Sequence, residues 1–544
     1  MLAEVFGLHN RQEKELKYGT AGFRDRADLP LHSMFVRMGV LAVLRSRSVG
    51  GCAIGVMITA SHNEECDNGV KLVDSDGGML ASDWEPHAET LANADSFADF
   101  ETAVKGLVAE ASGGVIVIGR DTRSHSSEFR DCVSRGASAM GGNVIDLGEV
   151  TTPQLHFVIQ RANQHDLARF EVAAALEDYY RTLAEGYLDL LNSIVEPSGK
   201  QAGTDSIVID ASCGIGGVAV LKMTQIMTDM TPSGSTARLE VDLRNSVGSG
   251  PVNEGCGAEL VQKQVIPPKG VDAHRDLGKL MCSFDGDADR IVFHSFREGG
   301  AWKLIDGDKI AALMSVMLIQ ELRAAGLDAQ VSLGVVQTAY ANGASTNYLR
   351  QQGVTIAMAK TGVKYLHHVA QSFDLGIYFE ANGHGTVLIS DKFHSLVTNS
   401  NGGGSGGERS ALALLRLKAF SKAINQAVGD AISDMLVCLA SLRILGMSTQ
   451  MWIDLFTDLP SKQLKIPVAN KSVIVCSEDE TFVVEPQALA ADLLKAMTDI
   501  PCGRCFVRPS GTEDVVRVYA EAATAVEAAL LADRAREAVL KYCQ

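Results

Sequence analysis

The stretch GVMITASHNEECDNGVKLVD, residues 55–74, places a serine, a histidine and an asparagine directly after an apolar run. Residues 55–58 have the pattern of a buried strand, whereas Ser, Asn, Asp and Gly favour turns. A polar turn at the end of a strand is therefore one interpretation of Ser61, His62 and Asn63. A loop that exposes a reactive serine is the other, and the remainder of the chain decides between them.

Length, charge and cysteine content restrict the class of protein. The chain has 544 residues, too many for one core, so roughly three to five domains are expected. A net charge of −17 argues against a nucleic-acid or anionic-membrane partner, although a local arginine pocket can still bind a phosphorylated small molecule. No secretory pattern and no membrane-length apolar run is visible, and eleven scattered cysteines fit a reducing compartment. We therefore expect a cytoplasmic protein that binds small molecules.

Short apolar runs alternate with Ala/Leu-rich segments along the chain. The runs predict buried strands over residues 115–118, 207–210, 291–293, 333–336 and 375–379. Helical patterns are clearest over residues 309–324 and 408–445. The last segment reads as two strands and a helix, over residues 505–508, 515–520 and 524–542. This alternation predicts α/β layers with mainly parallel or mixed sheets, and domain boundaries near residues 165, 296 and 430.

The stretch FDGDADR, residues 284–290, carries three carboxylates at alternate positions: Asp285, Asp287 and Asp289. On an extended backbone all three would point the same way and repel one another unless a cation neutralises them. The expected partner is a hard divalent ion that takes oxygen ligands, Mg2+. An EF-hand loop is excluded because Arg290 and Phe296 occupy the positions that require Gly and Glu. A solvated acidic turn is the remaining alternative.

The stretch FVRPSGTEDVVRVYAE, residues 506–521, places two arginines around a tight turn between predicted strands. Backbone N–H groups near a glycine, hydroxyls and paired guanidiniums together form a phosphate-binding surface. A plain turn with salt-bridged arginines is the alternative. The candidate phosphate-binding residues are Arg508, Pro509, Ser510, Gly511, Thr512 and Arg517.

Two further stretches offer polar groups near predicted strands. YFEANGHG, residues 378–385, follows a strand, and the carboxyl end of a strand is where α/β sheets usually bind ligands. Glu380, Asn382 and His384 alternate after this strand and offer acceptors and donors to neutral hydroxyls or an amide. YGTAGFR, residues 18–24, is a glycine-rich loop that ends in the cation Arg24. Each stretch alone is weak evidence for a site.

Taken together, the order YGTAGFR, TASHN, FDGDADR and RPSGTEDVVRVYAE resembles the α-D-phosphohexomutase superfamily from end to end. The stretches GVVQTAYANGAST, KTGVKYLHH, FEANGHGT and QAVGDAISDML resemble its eukaryotic N-acetylglucosamine-phosphate mutase branch. The resemblance implies three α/β mixed-sheet domains and a C-terminal α+β domain around a central cleft. The first two expected domains are residues 1–165, which carry the phosphoserine, and residues 166–296, which bind the metal. The other two are residues 297–430, which bind the sugar, and residues 431–544, which bind the second phosphate.

The same resemblance implies a chemical role for each loop. Ser61 would be a phosphoserine that exchanges a phosphoryl group with the sugar, and would complete the Mg2+ shell of the three aspartates. Arg24 and His62 would stabilise charge, and Lys71 or His62 would act as general acid and base. Arg290 and the loop of residues 380–384 would bind the sugar phosphate, and the arginine turn would hold the phosphate that is not reacting. The implied cycle interconverts N-acetylglucosamine 6-phosphate and 1-phosphate through a 1,6-bisphosphate, in a monomeric enzyme without nucleic-acid or membrane partners.

One departure and three alternatives accompany this prediction. Glu64 stands where the superfamily usually has proline, which would make the serine loop more mobile. A mutase for glucose or mannose phosphates is the nearest alternative, and FEANGHG argues against it because those enzymes usually carry a shorter loop. A non-catalytic sugar-phosphate binder needs neither Ser61 nor the aspartates. A hydrolase would result if water reached the phosphoryl group.

Overall fold

The computed structural model describes residues 2–7, 14–19, 22–107, 113–165, 171–194, 205–231, 238–400, 407–511 and 514–543. It divides into two compact units. The first unit contains Met1–Asp306, Asn382–Thr386 and Ala411–Thr449, and the second contains Gly307–Ala381, Val387–Ser410 and Gln450–Gln544. Among the described helices, none combines the length and the apolar composition that a membrane span requires.

The first unit begins with a five-stranded mixed sheet. Its strands are β1 (Phe23–Arg26), β2 (Ala53–Ile58), β3 (Asp67–Val73), β4 (Val115–Arg120) and β5 (Asn143–Glu149), in the order β1-β3-β2-β4-β5. Its helices are α1 (Leu2–Gly7), α2 (His32–Ser48), α3 (Glu85–Asn93), α4 (Phe97–Gly106), α5 (Ser126–Ala139) and α6 (Thr152–Gln164). Strand β2 pairs parallel with β4 and antiparallel with β3. Every residue of β2 is buried, as expected for a continuous apolar run in a sheet covered on both faces.

A second mixed sheet follows in the same unit. Its strands are β6 (Asp205–Asp210), β7 (Leu239–Arg244), β8 (Met281–Phe284), β9 (Ile291–Phe296) and β10 (Trp302–Ile305), in the order β10-β9-β8-β6-β7. The helices of this region are α7 (Val172–Asn192), α8 (Gly216–Met230), α9 (Ala258–Gln264) and α10 (Ala273–Asp276). Strands β8 and β9 are antiparallel, and Phe284 pairs with Ile291. The aspartate-rich stretch therefore joins two adjacent buried strands.

The second unit opens with a four-stranded sheet. Its strands are β11 (Leu333–Gln337), β12 (Thr355–Met358), β13 (Leu375–Phe379) and β14 (Gly385–Ile389), in the order β12-β11-β13-β14. The helices of this unit are α11 (Gly307–Ala325), α12 (Gly343–Gln351), α13 (Val363–Ala370) and α14 (Asp391–Asn399). Two helices that come next in the chain lie mostly or wholly in the first unit: α15 (Gly407–Ala423) and α16 (Ala431–Leu445). Strand β11 is parallel to both β12 and β13. Residues 411–449 belong to the first unit.

The C-terminal segment of the second unit is an α+β structure. Its helices are α17 (Thr449–Ile453), α18 (Gln487–Thr498) and α19 (Ala525–Tyr542), and its strands are β15 (Ser461–Pro467), β16 (Val475–Cys476), β17 (Val483–Glu485), β18 (Arg504–Pro509) and β19 (Val515–Glu521). An antiparallel sheet has the order β15-β19-β18. One face of this sheet packs an apolar core against α18 and α19, with Val516, Val518 and Leu531 buried there.

The predicted secondary structure is confirmed in type throughout. The five predicted strands correspond to β4, β6, β9, β11 and β13, and the two C-terminal strands to β18 and β19. The helix predicted over residues 309–324 is α11, whereas the pattern over residues 408–445 is divided into α15 and α16. The break lies at residues 424–430, where Asp430 accepts hydrogen bonds from the N–H groups of Ile432 and Ser433 and caps α16. The α/β fold class is thus confirmed.

Candidate active site

Ser61 lies in the loop between β2 and β3, directly after the buried strand that the sequence predicted. It is buried and has a φ of +49°, a left-handed conformation that is uncommon for serine. Its N–H donates to Thr59 Oγ1 at 2.8 Å, and its Oγ donates to Asp287 Oδ2 at 3.1 Å. A residue in this strained conformation is held there by its surroundings. The serine hydroxyl is thereby aimed at the aspartate cluster.

Two side chains hold the backbone of this loop. Asn253 Nδ2 donates to the carbonyl oxygens of Ser61 and Asn63, each at 2.8 Å. Arg123 donates to the same two carbonyls, at 3.2 Å and 2.5 Å, and is itself held by an ion pair with the buried Asp121. Each carbonyl therefore accepts two hydrogen bonds, which fixes the position of the serine between them.

Lys71 connects the serine to the aspartates. It lies on β3 opposite Met57, and its side chain is 12% exposed. Its Nζ donates to Ser61 Oγ at 3.2 Å and to Asp287 Oδ2 and Asp289 Oδ2 at 2.9 Å each. Burial alone would lower the pKa of Lys71, but the two carboxylates raise it above its ordinary value. Lys71, a candidate acid and base, therefore does not have the lowered pKa that neighbouring cations would give a lysine, and its ammonium lies beside Ser61 Oγ.

The three aspartates converge, but not on an extended backbone as predicted. They occupy a turn between β8 and β9, in which the N–H of Ala288 donates to the carbonyl of Asp285 and Ala288 has a φ of +57°. One carboxylate oxygen from each of Asp285, Asp287 and Asp289 lies within 4.8 Å of the others. The extended backbone was wrong because the chain reverses direction within six residues to pair β8 with β9.

The aspartate cluster meets the requirements of a hard divalent ion. All three side chains are buried, and each keeps one oxygen that accepts no hydrogen bond from the described residues. Burial and the neighbouring carboxylates raise the pKa of Asp285 well above its ordinary value. Against the effect of burial, the ammonium of Lys71 holds the pKa of Asp289 low. Buried carboxylate oxygens that converge without donors are the ligands that Mg2+ prefers.

The remaining predicted residues of the first unit surround this centre. Arg290 Nε lies 3.8 Å from Asp285 and from Asp289, and Arg24 donates to Asn63 Oδ1 at 3.3 Å. His62 Nε2 lies 3.7 Å from Glu259 Oε1, and burial, with Arg290 and Arg24, lowers the pKa of His62. His384 Nδ1 lies 3.8 Å from Asp289 Oδ1, and the His384 N–H donates to Asn382 Oδ1 at 3.0 Å. Ser61, Lys71, the aspartates, Arg290 and His384 are thus brought together.

The backbone conformation and close packing at position 383 require glycine. It has a φ of +82°, and its carbonyl accepts the N–H of Ile291 at 3.2 Å. A Cβ added there would lie 1.7 Å from the carbonyl oxygen of Ile291. Any larger residue would therefore push the loop away from β9, so the backbone requires glycine at this position.

The predicted residues of the second unit form two groups. The carbonyl of Ala381 accepts the N–H of Gly307 at 3.4 Å, and a Cβ on Gly307 would lie 1.9 Å from the carbonyl oxygen of Glu380. In the other group, Arg508 and Arg517 are direct partners in the pairing of β18 with β19, and Pro509 pairs with Val516.

A backbone hydrogen bond closes the arginine turn at its base. The N–H of Ser510 closes the turn by donating to the carbonyl of Val515 at 2.9 Å, and a Cβ on Gly511 would meet nothing within 4 Å. Arg508 donates to the Tyr340 hydroxyl at 3.2 Å and lies 3.6 Å from Glu480. Thr512 lies outside the described residues.

Several residues of the site were missed from the sequence. Thr152 Oγ1 donates to Asp287 Oδ2 at 2.6 Å, and Arg123 and Asn253 hold the serine loop. Arg123 follows the buried strand β4 in the stretch GRDTR, whereas Thr152 follows β5, whose residues are half-buried or exposed, in the stretch GEVTTP. Polar residues after a buried strand were the signal that selected Ser61, and the same rule would have selected Arg123 but not Thr152. Asn253 follows no strand directly and gives no comparable signal.

Comparison with known proteins agrees with this geometry. Residues 306–447 and 159–292 match family models described as Phosphoacetylglucosamine mutase AMG1, domain III and domain II. Residues 36–99 with 93–169, and residues 476–538, match Phosphoglucomutase/phosphomannomutase models of the alpha/beta/alpha domain I and the C-terminal domain.

Curated relatives and solved structures match over nearly the whole chain. The chain is 44% identical to phosphoacetylglucosamine mutase from Sus scrofa, over 93% of this chain and 90% of that protein. The Arabidopsis thaliana protein of the same name is 39% identical, over 98% and 96% of the two chains. A solved structure of Aspergillus fumigatus N-acetylphosphoglucosamine mutase, in complex with GlcNAc-6P and magnesium, superposes with a TM-score of 0.90 at 37% identity, covering 100% of this chain and 98% of that one.

Proposed function

The chain belongs to the phosphoacetylglucosamine mutase family, and from this premise we propose that it interconverts N-acetylglucosamine 6-phosphate and N-acetylglucosamine 1-phosphate. The enzyme is an isomerase that moves a phosphoryl group between two oxygens of one sugar. The cycle passes through a phosphorylated Ser61 and a 1,6-bisphosphate, and its product supplies UDP-N-acetylglucosamine synthesis. The contact of Ser61 Oγ with Lys71 and Asp287 is the observation that carries this proposal.

The proposed transfer is a direct exchange of one P–O bond for another. The bond between phosphorus and Ser61 Oγ breaks as a bond forms to a sugar hydroxyl oxygen, whose proton passes to a base on the enzyme. Lys71 Nζ, 3.2 Å from Ser61 Oγ, stabilises the negative charge that develops on the serine oxygen. In the second half of the cycle the other phosphate returns to Ser61. Lys71 and His62 are both candidates for the acid and base.

Three carboxylates and the serine oxygen are the proposed ligands of Mg2+. Asp285, Asp287 and Asp289 would contribute the oxygens that accept no hydrogen bond from described residues. When bound, Mg2+ would neutralise charge on the transferring phosphoryl group. The relative from Aspergillus fumigatus has been solved in complex with magnesium, which supports this assignment.

The remaining predicted residues are proposed to bind substrate. Glu380 would accept hydrogen bonds from sugar hydroxyls, with Ala381, Asn382, Gly383 and His384 lining the sugar, and Arg290 and Arg24 would bind the reacting phosphate. Arg508, Pro509, Ser510, Gly511, Thr512 and Arg517 would hold the phosphate that does not react. The cross-strand pairing of Arg508 with Arg517 supports this role, because two guanidiniums on one face form a natural binding surface for a phosphate.

The organisation of the whole enzyme completes the proposal. The four domains would span residues 1–165, 166–296, 297–430 and 431–544, a division supported by the four family models matched in this order. We expect a cytoplasmic monomer that acts on sugar phosphates.

The test is turnover of the purified enzyme with defined substrates. N-acetylglucosamine 6-phosphate with Mg2+ and a trace of the 1,6-bisphosphate should give the 1-phosphate, observed directly by phosphorus NMR. Glucose 6-phosphate is the matched control and should give a lower kcat/KM. A preference for glucose 6-phosphate would assign the chain to another hexose phosphate, and release of inorganic phosphate as the main product would indicate a hydrolase.

A further inference from the structure

The stretch QAVGDAISDML, residues 426–436, resembles the mutase branch, yet no part of it enters the proposed chemistry. It leads into α16, in which every residue from Ala431 to Leu442 is buried. Its backbone lies against the turn that carries the three aspartates. A Cβ added to Gly429 would lie 3.0 Å from the carbonyl oxygen of Asp289 and 2.6 Å from Cδ2 of His384. The close approach of this stretch to the aspartate turn therefore requires a glycine.

One backbone hydrogen bond joins α16 to the aspartate turn. The N–H of Ala431, the first residue of the helix, donates to the carbonyl of Ala288 at 3.1 Å. The first N–H groups of a helix have no partner within the helix, so this one is available to the turn. Ala288 lies between Asp287 and Asp289 and has a φ of +57°, a conformation that its surroundings must hold. The helix thus holds the peptide that leads into Asp289.

Asp430 fixes the end of the helix from which this hydrogen bond comes. Its side chain is buried, and each of its oxygens accepts two hydrogen bonds. Oδ1 accepts the N–H groups of Ile432 and Ser433 at 3.0 Å and 3.2 Å. Oδ2 accepts the hydroxyl of Tyr179, a buried residue of α7, and Nδ2 of Asn425, each at 2.9 Å. A buried carboxylate needs such donors, and four of them together restrict it to one orientation.

We propose that Asp430 is a positioning residue of the metal site: it orients the first turn of α16, whose N–H at Ala431 holds the aspartate turn. The inference rests on the proposed binding of a divalent ion by Asp285, Asp287 and Asp289. Three carboxylates in a short turn repel one another until a cation is bound, so the turn needs support from its surroundings. Partners that orient metal ligands raise metal affinity because less freedom is lost on binding. Asp430 would therefore strengthen metal binding without touching metal or substrate.

Tyr179→Phe is the mildest test, because it removes one hydrogen bond from Asp430 and keeps the aromatic ring. Its matched control is Tyr519→Phe, which removes the hydrogen bond of another buried tyrosine to a buried carboxylate, Glu521 Oε2 at 2.8 Å. Both variants should lower the melting temperature by a similar amount. Only Tyr179→Phe should weaken the binding of Mn2+, a probe that takes the same oxygen ligands as Mg2+. We expect an affinity about three- to ten-fold lower, measured on the metal-free enzyme by electron paramagnetic resonance.

Ala431→Pro tests the hydrogen bond to the turn itself. Proline is compatible with the first position of a helix but has no N–H, and its ring would press against the carbonyl of Ala288. The control is Ala525→Pro, the same substitution at the first position of α19, where the alanine is exposed. Ala431→Pro should weaken Mn2+ binding about 10–100-fold, and Ala525→Pro should not change it. In the metal-free proteins, amide hydrogen exchange at residues 285–290 should be faster in Tyr179→Phe and Ala431→Pro than in wild type and both controls.

Metal binding and turnover separate this inference from the proposed function. Equal Mn2+ affinity and equal hydrogen exchange in wild type, Tyr179→Phe and Ala431→Pro would overturn the inference and leave the mutase assignment intact. An equal loss of Mn2+ affinity in Tyr179→Phe and Tyr519→Phe would reveal a general loss of stability and would also overturn it. Weaker Mn2+ binding in Tyr179→Phe and Ala431→Pro alone, in a wild type that does not convert the sugar, would sustain the inference and overturn the mutase.

Discussion

Replacement of Thr152 by valine should weaken the metal site without changing its shape. The Thr152 hydroxyl donates to Asp287 Oδ2 at 2.6 Å inside the protein, where it helps to orient a proposed metal ligand. Valine is also β-branched, so it replaces only the hydroxyl, and the N–H of residue 152 can still donate to the carbonyl of Asp287. A hydrogen bond to a charged group contributes about 1.5–3 kcal/mol. Partners that orient metal ligands change metal affinity by about 10–100-fold when they are removed.

The assay is the mutase rate as a function of free Mg2+ in a metal buffer. We expect Thr152→Val to require about 10–100-fold more Mg2+ for half-maximal rate, with a smaller loss at saturation. Thr90→Val is the control, because the Thr90 hydroxyl is exposed on α3 and donates to the carbonyl of Pro86 at 2.8 Å. An unchanged Mg2+ requirement in Thr152→Val, with a normal melting temperature, would refute the placement of the metal at Asp287.

Three further variants test separate features. Ser61→Ala should incorporate no phosphate from the 1,6-bisphosphate by intact-mass measurement and should lose turnover by several orders of magnitude; near-normal turnover would exclude the phosphoserine. Asn253→Leu removes two hydrogen bonds from the serine loop and should lower kcat about ten-fold with little change in KM; an effect on KM alone would contradict a positioning role. Burial raises the pKa of Asp374, but hydrogen bonds from Lys392 and two serines lower it further, to about 2. The ionised carboxylate therefore stabilises the fold fully above about pH 4, near the pKa of an unfolded aspartate, and this stabilisation is lost as the pH falls through 2. The melting temperature of Asp374→Asn, measured by circular dichroism, should therefore be about 2–4 °C below that of wild type at pH 7. Near pH 2 the two melting temperatures should be the same, and an equal difference at both pH values would contradict this pKa.

The sequence predicts those features that are determined by residues close to one another along the chain. Strand β13 is predicted to the residue because its apolar run is continuous and bounded by polar loops. Ser61 and the three aspartates are recognisable because each motif is complete within a few positions. The conformation of the aspartate stretch could not be predicted in this way, because the turn at Ala288 depends on how β8 and β9 pair. Alternate spacing alone does not distinguish a strand from a tight turn.

Features that join distant segments could not be predicted from the sequence. Asn253 lies 192 positions from Ser61, and nothing in its own neighbourhood indicates that its amide holds two carbonyls of the serine loop. The pairing of Arg508 with Arg517 has the same origin, because the two residues face each other only in the observed register of β18 with β19. A shift of one residue would move Arg517 to the other face of the sheet. Such contacts are properties of the fold and are absent from any local pattern.

The same long-range contacts explain how the serine loop accommodates Glu64 in place of the usual proline. Proline would restrict the loop by fixing one backbone dihedral angle. Here the loop is held by the hydrogen bonds of Arg123 and Asn253, and Glu65 Oε1 adds a further connection by accepting the backbone N–H and the hydroxyl of Ser124 at 3.0 Å and 3.1 Å. The Glu65 carboxylate is therefore engaged with Ser124, and Glu64 is exposed to solvent, where water screens its charge from a phosphorylated serine. The two acidic residues beside the serine are thus compatible with phosphoryl transfer, because hydrogen bonds supply the restriction that proline gives elsewhere in the superfamily.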